Sequence, residues 1–362
     1  MSNLFQSKFT AAQMELSISK NIEGPTYVYC NTSTDLDTYF NESLKNGDNI
    51  KFILSSDVVH TLNLSIKDIT LSNLILEFRS NSADKATIEF LSDKDRGSTI
   101  YSWNCNLKFN RIKFTRLNTD GSANTKNISL ISFNNSSTRI INSTQDDTTD
   151  DNVNSLFGII ASENSFLKIE YSNFDRTSVA VYNGSYLLLY GTNSLLSNGD
   201  SVDDGVISLW NGSYINVLGD ITIGGSSTDS NIPNCVLLAE NSHMDYTAGG
   251  KFIFQNIGSG NCFKATGGAV IDATSIEGDI SNITGSYNIL NEVDTKGSLV
   301  FDTNIKGVST PITSGDIKVG SGKLTINKEY LFSSDFGSSL PTEDPGVSGT
   351  LWNNAGVLSI SV

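Results

Sequence analysis

The sequence has few of the residue types that mark catalytic or nucleic-acid-binding sites. Charged residues make up only 17% of its 362 residues, and the two histidines, His60 and His243, lie far apart in the chain. No Ser-His-Asp arrangement can therefore be argued from them. The net charge is −15, and no basic run is interleaved with aromatic residues. Because nucleic acids and anionic membranes need a positive surface, the composition argues against both partners.

Cysteine is also scarce, and its spacing excludes the common zinc motifs. The four cysteines, Cys30, Cys105, Cys235 and Cys262, are far apart, and no CxxC pair occurs. In a chain of this length they are most simply buried, reduced thiols of a protein assembled in a reducing cytosol. The sequence predicts neither a bound metal nor a cofactor.

Long apolar runs are missing as well. The first twenty residues contain neither a basic segment nor an apolar run of signal-peptide length, and no stretch approaches the roughly 18 apolar residues of a membrane span. We therefore expect a protein made in the cytoplasm, without membrane insertion.

A repeat of short alternating segments fills the middle of the chain. Two copies, VAVYNGSYLLLY and ISLWNGSYINVL, carry apolar residues at positions six and four before a serine and two and four after it. The same frame fits around Ser165, Ser242 and Ala269, and half-matches follow Cys105 and Gly297. From residue 165 onward the anchors lie 20, 28, 29, 27 and 28 residues apart: Ser165, Ser185, Ser213, Ser242, Ala269 and Gly297. Period two on both sides of an Asn-Gly corner indicates strand, corner, strand.

A repeat of this length without helical segments is typical of a solenoid, and we interpret it as an all-β, right-handed parallel β-helix. The alternative is a β-sandwich with similarly spaced strands. Sandwich strands do not need the same corner chemistry each time, whereas stacked coils do. Asn and Gly tolerate the left-handed backbone of a tight bend, so their recurrence favours the β-helix.

Three regions follow from this pattern. Residues 1–24 form a leader, either a virion-docking segment or a frayed terminus, residues 25–307 form the β-helix, and residues 308–362 form a C-terminal β element with a Gly/Pro linker and a terminal hairpin. At the start of the solenoid we expect a short helix, capped by Thr34 or Asp35 and closed by Gly47 and Asp48, that covers the apolar end. The polar interval SSTRIINSTQDDTTDDNVNS, which begins at Ser136, is expected to be a projecting loop.

Two stretches resemble known families. The helix and Gly-Asp turn before the strand of Ile50, Phe52 and Leu54 resemble the N-terminal cap of pectate-lyase-like right-handed β-helices. The segment LPTEDPGVSGTLWNNAGVLSISV resembles a C-terminal tail of virion structural proteins of tailed bacteriophages. The matching positions are Leu340, Pro341, Thr342, Asp344, Pro345, Gly349, Leu351, Trp352, Asn353, Gly356 and Leu358. These resemblances imply a tail-fibre or spike-like virion protein that forms a homotrimer, contacts other virion proteins and is located in the virion after assembly in the host cytoplasm.

One row of aromatic side chains is the candidate binding surface. Phe166, Tyr186, Tyr214 and His243 each follow a corner and should stack outward on one face. Three interpretations remain open for them: contact with sugar rings of a host surface glycan, packing on a neighbouring subunit, or simple stacking of like residues along the solenoid.

Catalytic residues are not predicted. Glycan-cleaving β-helices need clustered carboxylates, and the best candidates are Asp203 and Asp204, with Asp175 one coil earlier. Asp245 and Asp272 follow two successive corners, and no cluster of Arg or His accompanies either set. The acidic run Asp146, Asp147, Asp150 and Asp151 lacks the spacing of a calcium loop. We therefore expect a structural and adhesive protein that is not an enzyme, with a tailspike depolymerase as the alternative.

Overall fold

The structure is a computed structural model of the chain. It describes residues 24–64, 69–92, 98–118, 128–145, 157–197, 205–226, 232–246, 251–256, 261–267, 269–273, 277–282, 288–293, 298–301, 305–306, 317–318, 323–326, 341–347, 351–354 and 357–360. The expected leader, the acidic run from Asp146 to Asp151 and the pair Asp203 and Asp204 lie outside these residues.

The fold is a parallel β-helix, as the repeat predicts. Three parallel sheets, here called A, B and C, run along the solenoid, and the chain visits C, A and B in turn. Strands are numbered along the chain. Sheet A contains β1 (Thr26–Cys30), β2 (Asn49–Leu54), β5 (Ile75–Ser80), β8 (Asn106–Asn110), β11 (Ser137–Ile141), β14 (Phe166–Glu170), β17 (Tyr186–Tyr190), β20 (Tyr214–Leu218), β23 (His243–Tyr246), β26 (Val270–Ala273), β29 (Ser298–Phe301) and β32 (Lys323–Ile326).

The other two sheets have ten strands each. Sheet B contains β3 (Val59–Asn63), β6 (Ala86–Ser92), β9 (Ile112–Asn118), β12 (Thr144–Gln145), β15 (Asn173–Phe174), β18 (Asn193–Ser197), β21 (Ile221–Gly225), β24 (Lys251–Gln255), β27 (Glu277–Asn282) and β30 (Ile305–Lys306). Sheet C contains β4 (Ile69–Ser72), β7 (Ser98–Trp103), β10 (Ile128–Phe133), β13 (Phe157–Ala161), β16 (Thr177–Val181), β19 (Ile207–Leu209), β22 (Asn234–Leu238), β25 (Asn261–Thr266), β28 (Asn288–Val293) and β31 (Ile317–Lys318).

The apolar positions of the repeat fill the interior of the solenoid. In the two copies that define the frame, the eight predicted inward residues are at most 1% exposed: Val179, Val181, Leu187, Leu189, Ile207, Leu209, Ile215 and Val217. Like residues stack from coil to coil, and the rings of Phe78 and Phe109 are parallel with centroids 4.8 Å apart. In-register parallel pairing therefore fixes which side chains of β14, β17 and β20 point into the solenoid and which point out.

The corner between sheets C and A explains the Asn-Gly-Ser pattern. Asn183, Gly184, Asn211 and Gly212 all have positive φ, from +54° to +72°, a region that Asn and Gly tolerate best. The serines after them, Ser185 and Ser213, are buried, and Ser185 Oγ accepts the backbone N–H of Ser165 from the previous coil at 3.0 Å. Ser136 and Ser165 accept a backbone N–H in the same way, whereas Ser213 Oγ donates to the carbonyl of Trp210 and Ser242 Oγ has no hydrogen-bond partner among the described residues.

A helix covers the N-terminal end of the solenoid. Helix α1 (Asp35–Glu42) buries Leu36, and the rings of Tyr39 and Phe40 lie 5.4 Å and 5.6 Å from the ring of Phe52 in the first coil. The predicted cap differs in detail, because Thr34 makes no side-chain cap bond. The carboxylate of Asp35 instead accepts the N–H groups of Asn31 and Thr32 in the preceding turn.

The C-terminal end extends further than the predicted boundary at residue 307. Strand β31 still pairs with β28, and β32 still pairs with β29, so sheet C continues to Lys318 and sheet A to Ile326. The predicted terminal hairpin is present as the antiparallel strands β33 (Leu351–Asn354) and β34 (Val357–Ile360). The N–H of Asn353 donates to the carbonyl of Pro341 at 2.8 Å, which ties the proline segment to the hairpin.

The interval from Ser136 was expected to be a loop, and its first ten residues are not. Residues Ser137–Ile141 form β11 and Thr144–Gln145 form β12, which pair in register with the coils on both sides. This coil was missed because two of its inward residues are polar: Ser132 and Thr138 are buried and hydrogen-bond each other at 2.7 Å. The apolar frame therefore fails there although the strands are formed.

Candidate functional site

The four predicted residues lie together on the outer face of sheet A. Phe166, Tyr186, Tyr214 and His243 occupy equivalent positions on β14, β17, β20 and β23. Their ring centroids are 5.6, 5.1 and 5.1 Å apart in order, and the rings are within 12° of parallel. We call this group the aromatic stack. Each member is only partly exposed, because its neighbours cover its faces.

Polar side chains form hydrogen bonds with the hydroxyl groups at the edge of the aromatic stack. The hydroxyl of Tyr214 donates to Oδ2 of Asp245 at 2.8 Å. Burial raises the pKa of the Tyr186 phenol, a hydrogen bond with Asn216 opposes that rise, and the charge of Asp245 adds to it. Asp245 therefore serves as a hydrogen-bond acceptor for the stack, which is a structural role.

The geometry limits what the aromatic stack can bind. Sugar rings pack against the faces of aromatic side chains, but the faces of Tyr186 and Tyr214 are already used by their neighbours. At the Phe166 end, the equivalent position on the preceding strand β11 is Ser137, which carries no ring. The stack therefore presents ring edges along its length.

A second outward row on sheet A carries most of the charge on this face. In order along the solenoid it consists of Lys51, Glu77, Lys108, Arg139, Lys168, Leu188, Asn216 and Asp245. Glu77 lies between two lysines, with Nζ of Lys51 at 3.2 Å and Nζ of Lys108 at 3.0 Å. Burial alone would raise the pKa of Glu77, but the hydrogen bonds and charges of these two lysines outweigh it and lower that pKa. The first coils of this face are thus basic, although the whole chain is acidic.

A third surface, on the outer side of sheet C, was not found from the sequence. Trp103 is 46% exposed, and its ring lies 6.0 Å from that of Phe133, which in turn stacks on Tyr101 at 5.9 Å. The sequence does carry a signal for it. An aromatic residue directly precedes the corner asparagine in four coils, as Trp103, Phe133, Tyr182 and Trp210.

The remaining candidates do not form a reactive cluster among the described residues. Asp175 is exposed, and His60 is fully buried with its Nε2 2.9 Å from the carbonyl oxygen of Ser55. In the described part of the chain no three His, Cys, Asp or Glu side chains are placed to hold a metal ion. All four cysteines are free and buried, and burial raises the pKa of the Cys30 thiol to about 12. Such thiols are poor nucleophiles and metal ligands at neutral pH.

Comparisons with known proteins add no family. No protein-family model matches the chain, and a search of curated proteins finds no match. Within the described residues, no helix has the length and apolar character needed to cross a membrane.

Proposed function

We propose that this protein is a structural and adhesive component of a bacteriophage virion, a tail fibre, spike or head fibre, that contacts the host surface. The observation that carries the proposal is the combination of a capped β-helix with the C-terminal segment of residues 340–358. The segment Leu-Pro-Thr-x-Asp-Pro followed by Gly-x-Leu-Trp-Asn resembles tails of phage virion proteins. The hydrogen bond from Asn353 N to Pro341 O is consistent with one small folded module built from that segment.

The fold supports this proposal in a second way. Stacked coils give a long, stiff body whose outer faces repeat regularly, which suits a projecting fibre. Such proteins are commonly homotrimers, and the ring edges of the aromatic stack present an apolar strip that a neighbouring copy could cover. We propose a homotrimer located in the virion, with other virion proteins as partners at one end.

The test is the native mass of the purified full-length chain, measured by light scattering and repeated on an unheated detergent gel. A mass three times that of the chain, persisting in detergent, is the expected result. The same two measurements are repeated on a pair of matched variants, Trp352→Ala in the hairpin and Trp210→Ala in the solenoid. A monomer in solution would overturn the trimer, and the fibre proposal would then require assembly on the virion itself.

Cleavage of polysaccharide is the alternative activity, and we propose that the protein is not an enzyme. The best carboxylate pair suggested by the sequence is Asp203 and Asp204. If the purified protein shortens capsular or lipopolysaccharide chains, and if Asp203→Asn with Asp204→Asn abolishes this, the depolymerase alternative replaces the adhesive one.

A further inference from the structure

The Asn-Gly pairs of this chain are chemically reactive as well as structural. Such pairs begin at Asn46, Asn183, Asn198 and Asn211, and Asn198 lies outside the described residues. The glycines of the other three pairs have positive φ, and each precedes a strand of sheet A. In an Asn-Gly pair the backbone nitrogen of the glycine can attack the side-chain amide of the asparagine, because glycine has no side chain to hinder the approach.

The reaction is intramolecular and needs no co-reactant except water. The glycine nitrogen forms a bond to Cγ of the asparagine, the Cγ–Nδ2 bond breaks, and ammonia leaves with the proton of the attacking N–H. The resulting five-membered succinimide takes up one water at either carbonyl and opens to aspartate or isoaspartate. The glycine nitrogen and Cγ of the asparagine must therefore both be free to move into attacking distance.

The attacking nitrogen is restrained in all three described pairs. The N–H groups of Gly47, Gly184 and Gly212 donate to carbonyl oxygens of the next coil at 3.1, 3.0 and 2.9 Å. A nitrogen held in this way cannot turn toward the carboxamide until its bond to the next coil opens. The three pairs share this protection, so the backbone bond alone does not distinguish them.

The side-chain amides are held to different degrees. Nδ2 of Asn183 donates to Oγ of Ser162 at 3.2 Å, and Oδ1 of Asn183 accepts a hydrogen bond from Nδ2 of Asn211 at 3.1 Å. Asn183 is thus held through both polar atoms of its side chain and Asn211 through one. Asn46 is exposed, and its side chain makes no hydrogen bond with any described residue. Cγ is therefore free to move only at Asn46.

The position along the solenoid distinguishes Asn46 in the same direction. Its pair precedes β2, which has only β1 before it in sheet A, whereas β17 and β20 lie in the middle of that sheet. Each coil of a solenoid is stabilised mainly by its neighbours, so coils near an end open more readily than central ones. The bond from Gly47 to the carbonyl of Asn73 should therefore open more often than the equivalent bonds of Gly184 and Gly212.

We propose that Asn46 is a site of spontaneous deamidation in the folded protein, and that hydrogen bonds between coils protect Asn183 and Asn211. Modification adds one negative charge to the turn between α1 and β2. That turn already contains Asp48, whose Oδ2 accepts the N–H of Lys45 at 2.7 Å. The N-terminal cap is then the described part of the solenoid that changes first with age, and this inference does not depend on the proposed virion function.

The test compares the three sites within one sample of the full-length protein. The protein is incubated at mildly alkaline pH in water enriched in heavy oxygen, so that only succinimides opened during the incubation carry the label. It is then digested with pepsin at acid pH, and the peptides are quantified by mass spectrometry. Asn46 should react about tenfold faster than Asn183 and Asn211, because it is released by a local opening near the end of the solenoid.

Two controls separate the fold from the local sequence. In concentrated guanidinium the three sites should react at rates within about threefold of one another, because each is then a free Asn-Gly pair. Ser162→Ala removes the acceptor of Asn183 Nδ2 and should raise the rate at Asn183 about threefold, as expected for one neutral hydrogen bond, without changing the rate at Asn46. The variant is checked for a native circular dichroism spectrum.

The outcomes that overturn the proposal are specific. Equal rates at the three sites in the folded protein overturn it, and so does modification of Asn183 or Asn211 ahead of Asn46. A difference between the sites that persists in guanidinium assigns the effect to the local sequence and also overturns it. An unchanged rate at Asn183 in Ser162→Ala overturns the argument from the side-chain hydrogen bonds.

Discussion

The most direct test of the aromatic stack is Tyr214→Leu. Tyr214 is an inner member, with the ring of Tyr186 on one side and that of His243 on the other, each with its centroid 5.1 Å away. Its hydroxyl also donates to Asp245. Leucine keeps part of the apolar contact but removes both ring pairs and the hydrogen bond. We therefore expect a clear loss of stability at this position.

The magnitude follows from these three contacts. Two stacked ring pairs contribute about 1–3 kcal/mol together beyond the buried area. The half-exposed hydrogen bond adds about 1 kcal/mol. The free energy of unfolding should therefore fall by roughly 2–4 kcal/mol, and Tyr214→Phe, which loses the hydroxyl alone, should cost about 1 kcal/mol.

The measurement combines guanidinium denaturation, followed by circular dichroism, with amide hydrogen exchange. Exchange is needed because each coil of a solenoid is stabilised mainly by its neighbours, so the loss should be concentrated in β17, β20 and β23. Tyr27→Leu is the matched control. Tyr27 is 55% exposed on the edge strand of the same sheet, and its substitution should change the free energy of unfolding by less than about 0.5 kcal/mol. If Tyr214→Leu costs no more than Tyr27→Leu, the stack does not stabilise the solenoid and the reasoning is wrong.

Two further predictions concern the corners and the buried thiols. A Cβ at Gly212 would meet open space, but the φ of this residue is +69°, so Gly212→Ala should lower the free energy of unfolding by about 1–2 kcal/mol. A Cβ at Gly224 would instead lie 1.9 Å from the backbone oxygen of Gln255. Gly224→Ala should therefore lower the thermal unfolding midpoint much more, and equal midpoints for the two variants would contradict this. Burial raises the pKa of Cys30 from 9.0 to about 12, so its contribution to stability is complete below pH 9 and is lost as the pH rises from 9 towards 12. Unfolding measured between pH 8 and 11 should show this decline, with a shallower slope in Cys30→Ala, while a flat profile in the unsubstituted protein would refute it.

The sequence is sufficient to predict the fold because the physical requirements of a β-helix recur at fixed positions. Inward residues must be apolar, and a tight corner requires positive φ, which Asn183 and Asn211 adopt. The stacking of Tyr186 on Tyr214 follows from the same register. The hydrogen bonds at the start of the helix do not follow from a repeated pattern. The carboxylate of Asp35 can accept N–H groups on either side of it in the chain, and it accepts those of the preceding turn.

The coil that contains β11 could not be predicted in the same way, and the reason is physical. The coil that contains β11 replaces apolar inward residues by Ser132 and Thr138, which satisfy each other by a hydrogen bond, so the period-two signal vanishes there. Without that coil, Phe166 has no visible neighbour below it, and Arg139 cannot be placed in the row between Lys108 and Lys168. The coil departs from the repeat both inside, where Ser132 and Thr138 are polar, and outside, where Ser137 stands in the row of rings at the position before Phe166.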